Sequence, residues 1–232
     1  YELEPYIKEF AGFESSGGKK VLEIGTGLGA DHQMFAENGA ILYGIDLTPR
    51  AIKNTNIRFN NLKLNSNLSV GDAENLSFED SYFDIVYSWG VIHHSPDTEK
   101  AISEIFRVLK PGGEARIMIY NKWSFIGLML YIRYGLLRFK IFSSLDYLYA
   151  NYLESFGTKA YTTENARAMF SKFTSCNIET VLSHGDLLES SAGQRHRGFL
   201  LSLAKKIWPR KFIRKYFSNF GLFMLIKANK PN

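Results

Sequence analysis

An α/β fold built on a largely parallel sheet is predicted for these 232 residues by three observations. A short apolar run, Val21 to Ile24, leads straight into a glycine turn, Gly25-Thr-Gly-Leu-Gly29, and then into a helical stretch. Apolar strand-like runs and amphipathic helical runs then alternate as far as Tyr120, as βαβ units require. Hydrophobic residues make up 45% of the chain against 22% charged, which supports a sizeable core and excludes a disordered chain. The length suits one domain, 1–232, with an N-terminal helix at 1–18, a helical cap inserted at 121–160 and a basic amphipathic insertion at 185–220.

In chain order, residues 1–18 read as an amphipathic helix (Leu3, Tyr6, Ile7 and Phe10 at helical spacing) ending in a Ser-Ser-Gly-Gly linker. It either covers a sheet edge or lays Tyr6 or Phe10 over a ligand. After the glycine turn, Ala30 to Asn38 reads as a helix stopped by Gly39, and Ile41 to Ile45 as a second strand ending at Asp46. Thr48 is placed to cap a helix that has Pro49 at its first position and runs to Asn60. Leu68 to Val70 is a third strand followed by Gly71-Asp72-Ala73-Glu74, and Phe83 to Ser88 is a fourth, followed by Trp89 to Asp97. Thr98 to Leu109 is an amphipathic helix, and Lys110-Pro-Gly-Gly113 turns into a fifth strand, Glu114 to Tyr120.

From Asn121 to about Ala160 the alternation breaks. Trp123 to Ile132 is apolar, but ten residues cannot cross a bilayer, which needs about 20. Two short helices forming a cap are expected, made basic by Lys122, Arg133, Arg138 and Lys140. Thr163 to Phe173 then returns to helix, Asn177 to Ser183 to strand, and Phe223 to Ala228 to a final strand.

The net charge of +5 is unevenly spread. No Asp or Glu follows Glu189, whereas ten cations do: Arg195, Arg197, Lys205, Lys206, Arg210, Lys211, Arg214, Lys215, Lys227 and Lys230. That leaves 18 of the 28 basic residues against all 23 acidic ones, a body at −5. In the basic stretch Phe199, Leu200, Leu203, Ile207, Trp208, Phe212 and Ile213 interleave with the cations, and Pro209 divides it into two amphipathic pieces. The pattern fits either a solvated helical face or peripheral contact with an anionic membrane surface. The single cysteine, Cys176, has no partner for an internal disulfide, and no Cys/His spacing suggests structural zinc. The opening Tyr-Glu-Leu-Glu lacks the basic start and apolar core of a signal peptide, so a cytoplasmic location, with membrane association an option, is the expectation.

The glycine turn is where chemistry enters. Glycines there allow positive φ or close backbone approach, and the helix that follows offers free N–H groups to a ligand. The spacing is G-x-G-x-G after the acidic Glu23, not the G-x-G-x-x-G of dinucleotide folds. Asp46, at a strand end some twenty residues on, suits either two ribose hydroxyls or a helix cap. Together with "FDIVYSWGVIHHSPD" and "EIFRVLKPGGEARIMIY", these features resemble the type-11 family of class I S-adenosylmethionine-dependent methyltransferases, which includes quinone, sterol and natural-product enzymes. The resemblance covers about residues 20–120. It implies a Rossmann-like seven-stranded sheet in the order 3-2-1-4-5-7-6, with the last strand antiparallel, helices on both faces and helical cap insertions. It also implies S-adenosylmethionine as cofactor, leaving as S-adenosylhomocysteine, with Glu23, Gly25, Gly27, Gly29, Asp46, Leu47, Asp72, Ala73, Ser88 and Trp89 at its site. Asp72 would meet the adenine amino group, with the neighbouring backbone N–H on a ring nitrogen.

Methyl transfer depends mainly on alignment and exclusion of water, with a base where the acceptor starts protonated. His93 and His94 stand just past the carboxyl end of the fourth strand and are the candidates, His94 ahead of His93. Tyr120 and Asn121 either orient an acceptor or anchor the cap. In some quinone-methylating relatives an acid at the position of His93 helps hold a metal; this chain departs from that, so no metal is expected. The expected acceptor is a small or lipid-like molecule, and the apolar cap favours a bulky hydrophobic one. Competing readings are a binding or membrane-docking module without turnover and a nicotinamide-dependent oxidoreductase. A nucleic-acid substrate is disfavoured, because no N/D-P-P-Y/F tetrapeptide follows the fourth strand.

Overall fold

The structure, a computed structural model, describes residues 1–189, 202 and 205–232. In chain order it comprises α1 (Tyr6–Ala11), β1 (Lys20–Ile24), α2 (Ala30–Glu37), β2 (Ile41–Asp46), α3 (Pro49–Leu62), β3 (Asn67–Val70) and β4 (Phe83–Trp89). There follow α4 (Thr98–Val108), β5 (Leu109–Tyr120), α5 (Phe125–Leu130), α6 (Leu145–Tyr152), α7 (Thr163–Met169), β6 (Ser175–Val181), α8 (Arg210–Tyr216) and β7 (Phe223–Asn229). The sheet order is β3-β2-β1-β4-β5-β7-β6. Strands β1 to β5 run parallel, and β7 is antiparallel to both β5 and β6, as expected.

Period-two alternation divides the core between the two faces of the sheet. Leu22, Ile24 and Val86 point to one side, where Ile102, Ile105 and Phe170 cover them. Val21, Ile85 and Tyr87 point to the other, against Phe10, Phe13 and Phe35. Helix starts are set locally by side chains that accept orphan N–H groups: Thr48 from Ala51, Asp97 from Lys100, and Thr162 from Asn165 in a reciprocal capping box.

Two expectations are corrected. The N-terminal helix is far shorter than 1–18. It ends at Gly12 (φ 59°), because Arg116 reaches in from β5 and donates to the carbonyls of Ala11 and Gly12. The Lys110–Gly113 turn is not a separate connection but lies within β5. Phe83 pairs with Leu109, the register then shifts, and Gly112 (φ 72°) donates to the Lys230 carbonyl. Of the basic stretch, Arg195, Arg197, Phe199, Leu200 and Leu203 lie outside the described residues, and α8 is the piece after Pro209. In the stretch read as a cap, α5 widens into a π turn at Tyr131–Gly135 and a 3-10 turn at Leu136–Arg138 before α6. Among the described residues, no helix is long and apolar enough to cross a membrane.

Candidate active site

The carboxyl ends of β1, β2 and β4 bring the predicted residues together. Gly25, Gly27 and Gly29 all have positive φ (87°, 53° and 75°), so each turn residue needs the freedom of glycine. They differ in surroundings. A Cβ on Gly25 would meet Val91 Cγ2 at 2.2 Å and one on Gly29 would meet Thr55 Cγ2 at 2.9 Å, whereas among the described residues nothing lies within 4 Å of the corresponding point on Gly27. The middle of the turn therefore opens onto free space. Asp46 is held against it: Oδ2 accepts from the Gly27 N–H at 3.1 Å, and Oδ1 accepts from the N–H and the hydroxyl of Thr48, both at 2.9 Å. A carboxylate has about four acceptor positions, so Oδ2 retains capacity for a further donor. Leu47, beside it, is largely exposed. Asp72 is exposed and braces its own turn by accepting from Glu74 N–H at 2.9 Å, while Ala73 is buried. Ser88 spends its hydroxyl on the Ile24 carbonyl (3.1 Å), so only its backbone is left to face a ligand. Trp89 lies between the rings of Phe10 (5.9 Å) and Phe223 (5.6 Å), with Tyr6 at 6.5 Å. Tyr6 and Phe10 thus pack on the site wall, by way of α1.

On the other side of the mouth, His93 is fully buried and neither ring nitrogen has a hydrogen-bond partner among the described residues. Its ring lies 4.1 Å from that of Tyr120 and 4.2 Å from that of His94. Burial, and then the neighbouring His94, pushes its pKa well below the usual imidazole range. His94 is half-buried and better connected. Its Nδ1 is 3.2 Å from Ser155 Oγ and 3.3 Å from Thr158 Oγ1, and its Nε2 is 3.6 Å from the Glu154 carboxylate. Burial lowers its pKa, and Glu154 opposes that shift. Tyr120 is buried and its phenol is pushed up by burial and then by Glu154. Asn121 donates to the carbonyls of Trp123 and Gly221, both at 2.9 Å, and accepts from Trp123 N–H. Among the described residues, no group of three or more His, Cys, Asp or Glu is arranged to hold a metal ion.

Residues 22–117 match a family model described as a methyltransferase domain, in its type-11 branch. The stretch is similar to that domain over 96 of the chain's 232 residues. Phosphoethanolamine N-methyltransferase 2 of Caenorhabditis elegans is 38% identical over 118 residues, which is 50% of this chain and 26% of that protein. A ubiquinone biosynthesis O-methyltransferase of Coxiella burnetii is 30% identical over 105 residues, 45% of either chain. The chain therefore spans less than half the length of these curated relatives. In fold it is similar to Haemonchus contortus phosphoethanolamine N-methyltransferase 2, solved with phosphomonomethylethanolamine and S-adenosylhomocysteine. That match has a TM-score of 0.65 and 21% identity, and covers 100% of this chain and 52% of that one.

Within the matched stretch the acid of the glycine motif is not open to the turn. Glu23 is buried, and its Oε2 lies 2.7 Å from His32 Nδ1. His32 Nε2 lies 2.7 Å from Ser66 Oγ, which itself donates to the Leu42 carbonyl at 3.1 Å. Ser66 must then accept from Nε2–H, which leaves Nδ1 as an acceptor and places the shared proton on Glu23. Burial raises Glu23 well above 4.5, with Asp31 and Asp46 adding to the shift, and lowers His32 to about 3. Nothing in the local pattern around His32 announced this pair, and the same holds for Asp31, which accepts from the hydroxyls of Tyr1 and Tyr87, each at 2.6 Å.

The pair has a consequence for stability. Unfolded, it holds one proton between pH 4.5 and 6.5, two below and none above. Folded, it holds one from above about pH 3 for as long as the raised Glu23 keeps its proton. Stability should therefore fall as pH rises past 6.5 while Glu23 stays protonated, and fall again below 4.5, at up to about 1.4 kcal/mol per pH unit. In Glu23→Gln the decline above 6.5 should vanish and an acid decline should begin at 6.5 instead. Urea unfolding from pH 5 to 8 reads this directly; identical profiles for the two proteins would refute the assignment.

Proposed function

We propose that this chain transfers a methyl group from S-adenosylmethionine to a small-molecule acceptor. The observation that carries the reading is the join between Asp46 Oδ2 and the Gly27 N–H, which fixes an acceptor-rich carboxylate beside an open glycine turn. The donor set suits the cofactor: Asp46 for the ribose hydroxyls, the exposed apolar Leu47 beside it for a face of the adenine, and Asp72 and the Ala73 backbone for its edge. When bound, the cofactor supplies a methyl group on a positively charged sulfur, so the protein need only align the acceptor and keep out water. Tyr6, Trp89, Tyr120 and Phe223 support that task as an aromatic wall, with Trp89 and Tyr120 each facing Phe223 at about 6 Å.

His94 takes the proton of an O–H or N–H acceptor. It is neutral at pH 7 because burial lowers its pKa, its ring is oriented by Ser155 and Thr158, and Glu154 beside Nε2 favours the imidazolium once formed. His93, with no partner for either nitrogen, shapes the wall. The names of the relatives, spanning phosphoethanolamine N-, tocopherol O- and ubiquinone-pathway O-methylation, support small acceptors of varied chemistry.

Calorimetric titration of the folded protein with S-adenosylmethionine should show saturable binding; its absence would overturn the reading. With an acceptor in hand, His94→Ala should lower kcat by a factor on the order of 10² to 10⁴ while leaving cofactor affinity unchanged. A kcat that stays at the wild-type value would remove the histidine from the chemistry.

A further inference from the structure

We propose that the cap and α8 together form a docking surface for an anionic lipid bilayer. The turn between α5 and α6 presents phenylalanines to solvent: Phe139 is 94% and Phe142 95% exposed, with Leu137 and Ile141 also exposed between and before them. This turn is built rather than frayed. Phe139 adopts φ 56°, unusual for a residue with a side chain, while Phe139, Lys140 and Ser143 donate backbone N–H groups to Leu136, Gly135 and Lys140. Apolar side chains held in water by a hydrogen-bonded turn mark a surface with a partner.

Charge names that partner. From Ser124 to Ser143 the chain carries Arg133, Arg138 and Lys140 and no acid. The two guanidinium groups are kept at this surface by the ring of Tyr134, at 5.5 Å and 4.9 Å. The second segment joins it through Phe125, whose ring lies 6.0 Å from Trp208 and 6.1 Å from Phe217, on either side of α8. Helix α8 adds Lys211 and Lys215 beside exposed Phe212 and Tyr216. Two segments some seventy positions apart in sequence, each carrying cations beside exposed rings, are thus linked through Phe125. Cations alone would suit a nucleic acid; the fully exposed phenylalanines suit the headgroup boundary, where rings insert and cations meet anionic lipid. A second copy of the chain would set like charges against each other, because a two-fold interface repeats the same patch.

The test is cosedimentation of the whole chain with vesicles of phosphatidylcholine alone and of phosphatidylcholine mixed with phosphatidylglycerol. Wild type should sediment with the mixed vesicles and not with the neutral ones. The double variant Phe139→Ser/Phe142→Ser, altered only at side chains already in water, should partition about tenfold less or weaker still. Arg138→Glu/Lys140→Glu should lose roughly fivefold per charge. Failure of wild type to bind the mixed vesicles, equal binding to neutral ones, or variants that bind as wild type does would each overturn the proposal. So would a wild-type dimer in solution that the phenylalanine variant converts to monomer.

Discussion

Replacing Asp46 by Ala should weaken S-adenosylmethionine binding by on the order of a hundredfold or more. The side chain does two jobs at once. In the proposed site it would offer its remaining acceptor positions to the cofactor's hydroxyls, and hydrogen bonds to a charged group contribute about 1.5–3 kcal/mol each. It also ties the glycine turn to β2, because Gly27 N–H has Oδ2 as its partner, and orders the start of α3 through Thr48. Asp46→Asn should behave almost as badly: an amide keeps the shape but turns an N–H₂ toward donors on one side. Titration calorimetry of both variants against wild type, with circular dichroism to show that the fold is kept, checks the prediction. An affinity unchanged in Asp46→Ala would mean that the carboxylate serves only as a turn and cap residue.

Replacing Asp186 by Ala should cost stability on the order of 3–5 kcal/mol, which for a protein of this size lowers Tm by about 10 °C. Asp186 is fully buried, and its carboxylate accepts from Ser183 N–H and hydroxyl, Leu222 N–H and Ile126 N–H, at 2.7 to 3.2 Å. Those donors belong to the end of β6, the approach to β7 and the first turn of α5, so one side chain ties the cap to the antiparallel edge of the sheet. Burial raises its pKa, and the four donors oppose that shift without cancelling it. Without the carboxylate the N–H groups of Leu222, Ile126 and Ser183 are left buried with no acceptor. Thermal unfolding followed by circular dichroism measures the loss. A shift of only a degree or two would show that water or a neighbour takes over.

The two predictions differ in how early they could have been made. Asp46 was visible in the sequence because its role is local: a strand that ends on an acid, a fixed interval after a glycine turn, needs only the order of β1, α2 and β2 to bring the parts together. Asp186 was not. Its partners are Ile126, sixty residues before it, and Leu222, thirty-six after it, and no spacing rule links three segments that meet only because β7 inserts between β5 and β6. The same contrast separates the glycine turn from Glu23. The motif marked Glu23 as facing the cofactor region, yet its partner is His32, brought beside β1 by the packing of α2, with Ser66 closing the chain from the loop before β3. Asn121 has two possible roles in the sequence, and its bond to Gly221, one hundred residues on, exists only in the fold.

What the sequence determined by itself is what backbone sterics and periodicity encode within a few residues. These are the strands and helices in order, the capped helix starts, the glycine turn and the acid at the end of β2. Tertiary structure alone decided which buried polar groups pair, where His93 and His94 come to rest, and that Phe125 packs beside Trp208 and Phe217 at the two ends of α8. The reason is physical. A hydrogen bond or ring contact between residues far apart in sequence exists only once the sheet order has set which strand ends are neighbours, and a single chain read along its length carries no direct record of that proximity.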